Sequence, residues 1–231
     1  MESALLAWHA ENRSDLPWRH RRDPYAVLVS EVMLQQTQVP RVVPRFEAWL
    51  ERWPTVESLA AAGLDDVIRA WQGLGYNRRA VSLHRAARIV SADGWPDDLT
   101  ALPGVGAYTA AAIRHFAWDE AVLPVDTNIR RVMERSRGDF GPVAAEALMD
   151  LGREVCLARV PRCGICPLAD ACPSRGRRYE PLRKQSRFEG SFRQRRAETL
   201  RLVTVAPHPI DALDGTVVAS LSRDGLVDVH E

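Results

Sequence analysis

Apolar residues recur at helical spacing through most of the first 200 residues, and no convincing alternating pattern of a strand interrupts them. Glycine and proline separate the apolar stretches at positions that suit helix ends. The pattern predicts an all-α protein, in which the segment Val143–Leu157 leads into a cysteine-containing loop. The predicted helices are Ser3–Asn12, Tyr25–Val39, Pro40–Trp53, Val56–Ala62, Leu64–Gln72, Arg78–Ala92, Ala107–Phe116 and Asp126–Ser136.

The helix predicted over Tyr25–Val39 has a well-marked beginning, because Asp23-Pro24 offers an N-cap acceptor followed by a proline suited to the first turn. Glu31, Gln35 and Gln38 follow at i, i+4 and i+7 and would share one polar face. A solvated helix face is the ordinary explanation for such positions. Spacing alone therefore gives Glu31 no function.

The pattern changes near the carboxyl end of the chain. Apolar residues there lie on both sides of a short helix predicted near Ile210–Arg223, and they predict strands in a small winged-helix-like tail. These residues are Leu202, Val203, Val205, Leu226, Val227 and Val229. The preceding segment, Pro173–Arg196, is predicted to be a linker.

Charge is informative through its distribution rather than its sum. The 231 residues carry a formal net charge of only +1, yet residues 173–201 hold ten basic and three acidic side chains. Such basic patches can serve as a footprint for phosphate, or can simply be a solvated arginine-rich surface. Further clustered arginines are Arg19, Arg21, Arg22, Arg78, Arg79, Arg130 and Arg131.

Hydropathy and the amino-terminal sequence bear on location. The chain has no apolar run long enough for a membrane helix, and its first residues lack the basic and apolar regions of a signal peptide. Together with clustered thiols, these features predict an intracellular protein in a reducing compartment.

All four cysteines lie in one window with the spacing C-x6-C-x2-C-x5-C, at Cys156, Cys163, Cys166 and Cys172. Thiolates are soft ligands that suit zinc or an iron–sulfur cluster. Only the central two form a close pair, and the wide outer spacing favours a [4Fe-4S] cluster. Zinc, reduced structural thiols and a disulfide pair remain as alternatives.

Two further features carry candidate chemistry. Residues 102–106 (LPGVG) predict a tight turn that opens a helix, where backbone N–H groups can approach a phosphate. A plain corner between helices is the alternative. Asp126 precedes another helix, and its carboxylate can act as an N-cap, a role compatible with catalysis.

The hairpin, Asp126 and the cysteine spacing, in that order, resemble the helix-hairpin-helix DNA glycosylases of the endonuclease III class. Residues 16–18 (LPW), 30–39 (SEVMLQQTQV) and 73–76 (GLGY) are similar to the MutY-type adenine glycosylases of that class. The resemblance covers residues 5 to 175 and implies a two-lobed fold. The implied divisions are a barrel lobe with the hairpin at 24–125, an iron–sulfur lobe at 1–23 and 126–175, and a basic linker with the tail at 176–231.

The resemblance also implies excision of adenine mispaired with 8-oxoguanine or guanine in double-stranded DNA, by a monomeric enzyme. Glu31 would protonate the leaving adenine, and Asp126 would stabilise the cationic sugar. Tyr108 stands where lyase members of the class carry a lysine, and the sole lysine is Lys184, so the resemblance implies a monofunctional glycosylase. The implied DNA-binding residues are Gln36, Tyr76, Gly104, Gly106, Asn128 and Arg130.

The chain departs from this family in two ways. Only 59 residues follow Cys172, too few for the Nudix-like domain by which MutY-type enzymes recognise 8-oxoguanine. The interval between Asp126 and Cys156 is short, and residues 135–141 replace what resembles a missing helix. Two alternatives remain: a glycosylase for thymine or uracil mispaired with guanine, and a non-catalytic iron–sulfur DNA-binding module.

Overall fold

A computed structural model describes residues 1–180 and 187–229. The described residues form eleven α-helices and no strand, which confirms the predicted all-α class. None of these helices is both long enough and apolar enough to cross a membrane. The helices are α1 (Glu2–Asn12), α2 (Pro24–Leu34), α3 (Val39–Arg52), α4 (Val56–Ala60), α5 (Leu64–Trp71), α6 (Arg78–Asp93), α7 (Ala107–Trp118), α8 (Thr127–Ser136), α9 (Ala145–Glu154), α10 (Phe192–Val205) and α11 (Gly215–Arg223).

Helix α2 ends earlier than the sequence predicts. It stops at Leu34 instead of Val39, because Gln36 adopts a left-handed backbone conformation with φ 56°. Gln38 becomes the extended N-cap of α3, ahead of Pro40 in the first turn of that helix. The predicted polar face that joined Glu31, Gln35 and Gln38 is therefore wrong, since only Glu31 lies on α2.

The predicted strands of the tail are also wrong. Residues 202–205 belong to α10, which begins at Phe192, inside the predicted linker. Leu200 and Val203 lie three residues apart on one helix face and pack against Ile68 and Val81. The short apolar run is compatible with a strand or a helix, and burial of this face favours the helix.

The chain divides into two compact units. In the part of the chain that the structure describes, the cysteine unit comprises residues 1–27 and 107–180, and the hairpin unit comprises residues 28–106 and 187–229. The lobe boundaries implied by the family resemblance remain a prediction.

The core of the cysteine unit lies where α1, α8 and α9 meet. Leu5 of α1 is fully buried among apolar side chains of the other two helices. Phe140 lies in the short segment that follows α8, and its side chain is also buried in this core. The segment between α8 and α9 therefore contributes a core residue of its own.

A buried ion network joins the amino-terminal segment to α9. Asp150 of α9 is 1% exposed and accepts hydrogen bonds at 2.8 and 2.9 Å from the Arg19 guanidinium, which is itself 7% exposed. Arg153 donates to the same carboxylate at 2.8 Å, and His9 Nε2 lies 3.2 Å from it. Removing one partner of such a network leaves the other charges buried and unpaired.

The core of the hairpin unit contains three tryptophans. Trp49 packs edge-on against Trp53 and Trp71, with ring centroids 4.7 and 5.5 Å apart. Leu221 of α11 joins Leu200 of α10 in an apolar cluster against α5 and α6. The tail is thus an integral part of this unit.

We predict that Asp150→Ala lowers the midpoint of thermal unfolding strongly. Losing one partner of a buried ion pair costs about 3 kcal/mol, which corresponds to about 6–12 °C for a chain of this length. Circular dichroism at a fixed scan rate measures this change. The matched control, Asp170→Ala, removes a 99% exposed carboxylate paired with Arg175 and should shift the midpoint by less than about 2 °C. Equal shifts in the two variants would contradict a structural role for the network.

Candidate functional site

The four cysteines, distant from one another by up to 16 positions, converge on one cavity. All four thiols are free of disulfides and line a cavity of about 30 Å³, together with Arg135 and Arg175. Three-ten turns at Cys163–Ile165 and Ala169–Ala171 bend the loop so that its cysteines face inward to this cavity.

Polar donors surround these sulfur atoms. The backbone N–H of Gly176 donates to Cys163 Sγ at 3.3 Å, and Arg135 approaches Cys156 Sγ at 3.6 Å. Burial raises the pKa of the Cys166 thiol, and the neighbouring cysteines add to this effect. Cationic and N–H donors beside clustered thiols can stabilise thiolate charge around a bound metal group. In the described ranges, no group of three or more Cys, His, Asp or Glu side chains lies close enough to hold a single metal ion.

Arginines of α8 hold the cysteine loop through its backbone. Arg131 donates to the carbonyls of Gly152 and Cys156 at 2.6 and 2.7 Å. Arg135 donates to the carbonyls of Leu157 and Ala158, both at 2.7 Å. Arg131, suggested by the sequence as a possible phosphate contact, is thus engaged inside the protein.

Glu31 lies on α2 and is buried, with only 7% of its surface exposed. Leu28, Val29 and Val32 of the same helix are buried as well, together with the polar Ser30. A carboxyl group in such surroundings is unlike the solvated helix-face residue that the spacing alone suggested.

Asp126 is the N-cap of α8. Its Oδ1 accepts from the backbone N–H of Ile129 at 2.6 Å, and its Oδ2 accepts from Asn128 Nδ2 at 2.8 Å. Arg131 in turn donates to Asn128 Oδ1 at 2.7 Å, which fixes the amide. Gly152 of α9 lets the helices approach closely here, because a Cβ at that position would lie 2.6 Å from Asn128 Cβ. Both carboxylate oxygens are therefore held in one orientation.

The candidate DNA-contacting residues of the hairpin unit lie on loops. Gln36 and Tyr76 are exposed, and both have left-handed backbones, with φ of 56° and 47°. Arg79, grouped with Arg78 by sequence as a basic patch, is half-buried and donates to the backbone of both loops. Sequence reasoning missed this role, because it depends on contacts to residues more than 40 positions away.

The hairpin turn precedes α7. Gly104 has φ +81°, and a Cβ at that position would lie 2.8 Å from Ser82 Cβ. Gly106 is exposed, with open space where a Cβ would lie, and Tyr108 is half-buried on the first turn of α7. Gln35 Nε2 donates to the Gly104 carbonyl at 3.4 Å, which connects the turn with the loop after α2. Arg130 is exposed on α8.

Residues 29–153 match the family model of the HhH-GPD superfamily base excision DNA repair protein. The chain belongs to this superfamily. The match includes the hairpin, Glu31 and Asp126, and it confirms the resemblance that the sequence motifs indicated.

Two relatives are similar over most of the chain. An adenine DNA glycosylase of Mycobacterium tuberculosis (strain CDC 1551 / Oshkosh) is 41% identical, over 90% of this chain and 80% of the relative. An adenine DNA glycosylase of Mycolicibacterium smegmatis is 43% identical, over 97% of this chain and 91% of the relative. That second alignment spans 268 positions, more than the 231 residues of this chain, so the relative contains segments that this superfamily member lacks.

A solved structure confirms the fold. A thermostable thymine-DNA glycosylase superposes with a TM-score of 0.67 and 27% identity, covering 74% of this chain and 93% of its own. The predicted helix-hairpin-helix glycosylase fold is therefore correct.

We predict that Gly104→Ala destabilises the hairpin unit. A left-handed alanine costs about 1–2 kcal/mol, and its methyl group must also displace Ser82. The expected fall in the thermal midpoint is about 2–8 °C. Gly106→Ala is the matched control, since its methyl group meets nothing within 4 Å, and it should leave the midpoint nearly unchanged. A Gly104→Ala protein as stable as this control would contradict the strain described for the turn.

Proposed function

We propose that the protein is a monofunctional DNA N-glycosylase that removes adenine mispaired with 8-oxoguanine or guanine. The observation that carries this proposal is the 43% identity, across 97% of the chain, to a protein named adenine DNA glycosylase. The thymine-DNA glycosylase is less similar, at 27% identity, and provides weaker support for a thymine or uracil substrate. The proposed partner is duplex DNA bound by a monomer, which fits a cytoplasmic, nucleoid-associated enzyme.

Cleavage of an N-glycosidic bond passes through an oxocarbenium-like transition state. The leaving adenine needs a proton, and we assign its donation to Glu31. The acid must hold a proton near neutral pH, and burial of a carboxyl group favours that protonated form. The burial of Glu31 on α2 supports this assignment. After donation, the same carboxylate can help to activate the attacking water.

Asp126 is assigned to the cationic sugar. An ionised carboxylate next to the anomeric carbon stabilises positive charge that develops in the transition state. The hydrogen bonds from Ile129 and Asn128 support this role, because a carboxylate that cannot rotate needs no reorganisation during the reaction.

The target nucleotide must leave the base stack before it reaches any catalytic group. We assign Gln36 to the gap left in the duplex and Tyr76 to a position beside the strand that carries the opposite base. The exposure of both side chains supports these assignments. We assign contacts with the DNA backbone to the N–H groups of Gly104 and Gly106 in the turn and to the side chains of Asn128 and Arg130.

Monofunctionality rests on the absence of an amine nucleophile at the hairpin. A lyase forms a Schiff base through an amine, and Tyr108 has none to offer. Lys184, the only lysine in the sequence, lies outside the described residues.

We infer that Cys156, Cys163, Cys166 and Cys172 hold a [4Fe-4S] cluster. The convergence of four thiols on one cavity with N–H and guanidinium donors fits such a group. When bound, the cluster would supply structural cross-linking of the loop and no hydrolytic chemistry. Arg159 and Arg162 are exposed on this loop and are available to phosphate, whereas Arg153 is engaged by Asp150 and Glu154.

We predict that Asp126→Asn and Glu31→Gln greatly slow excision without loss of the fold. Asparagine retains the N-cap acceptor, so α8 should remain intact. Single-turnover excision from an adenine:8-oxoguanine duplex should fall about 100- to 10 000-fold, the usual contribution of such groups. Duplex affinity should persist. Asp139→Asn and Glu47→Gln, both at exposed positions, are the matched controls and should retain activity.

The same assay distinguishes the alternatives. Single-turnover excision is compared among duplexes that carry adenine:8-oxoguanine, adenine:guanine, thymine:guanine and uracil:guanine. Faster release of thymine or uracil would replace the adenine assignment, and duplex binding without any excision would indicate a non-catalytic module. Borohydride trapping in the same reactions should yield no covalent DNA adduct, and a strong adduct would overturn monofunctionality.

We predict four iron and four sulfide per chain in protein purified anaerobically. Cys166→Ser should lose iron and the visible absorbance of the cluster, since each thiolate contributes one ligand. Ser174→Ala is the matched control, because it alters a cavity-lining residue without removing a thiol and should retain both. One zinc per chain without iron would replace the cluster assignment.

A further inference from the structure

A single guanidinium connects two loops of the hairpin unit. Arg79, near the start of α6, donates hydrogen bonds to acceptors in both loops. The acceptors are the carbonyls of Val32 (2.8 Å), Met33 (2.9 Å), Gln35 (2.5 Å), Leu74 (3.2 Å), Gly75 (2.9 Å) and Tyr76 (3.3 Å), and the Thr37 hydroxyl (3.0 Å).

The first loop follows α2. The last carbonyls of a helix lack partners within the helix, and those of Val32 and Met33 are satisfied here by Arg79. Three residues after Met33, Gln36 holds a left-handed backbone that glycine usually occupies at a helix end. Such a conformation is unfavourable for other residues and persists only where its surroundings enforce it.

The second loop precedes α6. Tyr76 has the other left-handed backbone conformation. Arg79 donates hydrogen bonds to the carbonyl before this residue, that of Gly75, and to the carbonyl of Tyr76 itself. The guanidinium also lies near the Trp71 and Tyr76 rings, at 5.2 and 5.6 Å from their centroids. Thr37 Oγ1 donates to the Leu74 carbonyl at 3.2 Å, so the loops also contact each other directly.

The charge of Arg79 is largely removed from water. Burial lowers the pKa of this guanidinium to about 10, which leaves it cationic at neutral pH. A buried cation is favourable only where its donors are satisfied, and the seven acceptors provide this. Lysine cannot replace it, because one ammonium has three donors and lacks the planar fork that reaches both loops.

We propose that Arg79 is a positioning residue that holds Gln36 and Tyr76 in fixed relation, so that the gap-filling side chain and the side chain beside the opposite strand enter DNA as one preformed unit. This inference rests on the proposed function of those two residues. Arg79 itself touches no reacting atom. Its loss should affect base extrusion, the step that precedes chemistry.

The structural test uses hydrogen exchange on the intact holoprotein without DNA. Arg79→Lys should speed amide exchange about 10-fold or more at Thr37 and Leu74, whose N–H groups donate to the Leu34 and Trp71 carbonyls, because loss of the hydrogen bonds to the guanidinium lets both loops open. Exchange in α8 should stay unchanged. Arg88→Lys, at an exposed position of the same helix, is the matched control and should alter neither loop. Unchanged exchange in both loops of Arg79→Lys would overturn the proposal, whether or not the protein excises adenine.

The functional test is a double-mutant cycle. Arg79→Lys should lower single-turnover excision from a mispair about 10- to 100-fold, and it should reduce the fluorescence rise of 2-aminopurine placed at the target position. In a Gln36→Ala/Tyr76→Ala background, the same substitution should cost less than about 2-fold, because Arg79 acts through those side chains. An undiminished loss in that background would overturn the proposal.

Two further comparisons separate a failure of the Arg79 proposal from misfolding of the variant and from a failure of the proposed function. Thr37→Val removes the hydroxyl that bonds both Arg79 and Leu74, and it should reproduce the exchange and fluorescence effects in smaller degree if Arg79→Lys fails to fold. A wild-type protein that excises no adenine would refute the proposed function alone, and hydrogen exchange would still decide the role of Arg79.

Discussion

Backbone carbonyls left over at helix ends and in loops must find donors, and arginine side chains supply them at the candidate functional positions of this protein. Arg79 binds the loops of Gln36 and Tyr76, and Arg131 and Arg135 bind the cysteine loop. One guanidinium offers five donors in a plane, so it can satisfy several carbonyls at once. Because all but one of the 31 lysine and arginine residues are arginine, the composition suits this way of ordering irregular backbone.

This arrangement explains how exposed functional loops can be well defined. A loop that presents side chains to a ligand cannot bury much apolar surface of its own, so its order must come from contacts beneath it. Tyr76 is 48% exposed, yet the adjacent carbonyls are tied to Arg79, which lies near the fully buried Trp71. The Arg79 side chain therefore connects the exposed loop with the buried core beneath it.

Local sequence patterns predicted most helices, whereas contacts between residues far apart in the sequence determine the end of α2 and the structure of the tail. Periodicity and punctuation marked α6 and α7 because their apolar faces repeat over three or four turns. The end of α2 escaped prediction, since the acceptors at Val32 and Met33 are satisfied by Arg79, a residue 46 or more positions away. The helical structure of the tail was not predicted either, because it depends on the packing of Leu200 and Val203 against Ile68 and Val81. Motif spacing marked the cysteines as candidate ligands, and the family resemblance marked Asp126 as a candidate, whereas the partners that orient them became visible only in three dimensions.

The two assigned carboxylates differ in their surroundings, and the difference follows from their places in the secondary structure. Glu31 begins the last turn of α2 and is buried there, beside the equally buried Ser30 and Val32. Asp126 precedes the first turn of α8, where free N–H groups and the helix dipole favour negative charge. The acid proposed at Glu31 is thus a buried helix residue, and the anion proposed at Asp126 accepts two hydrogen bonds at a helix start. The two proposed roles therefore rest on different local surroundings, a buried helix position for the acid and a helix N-terminus for the anion.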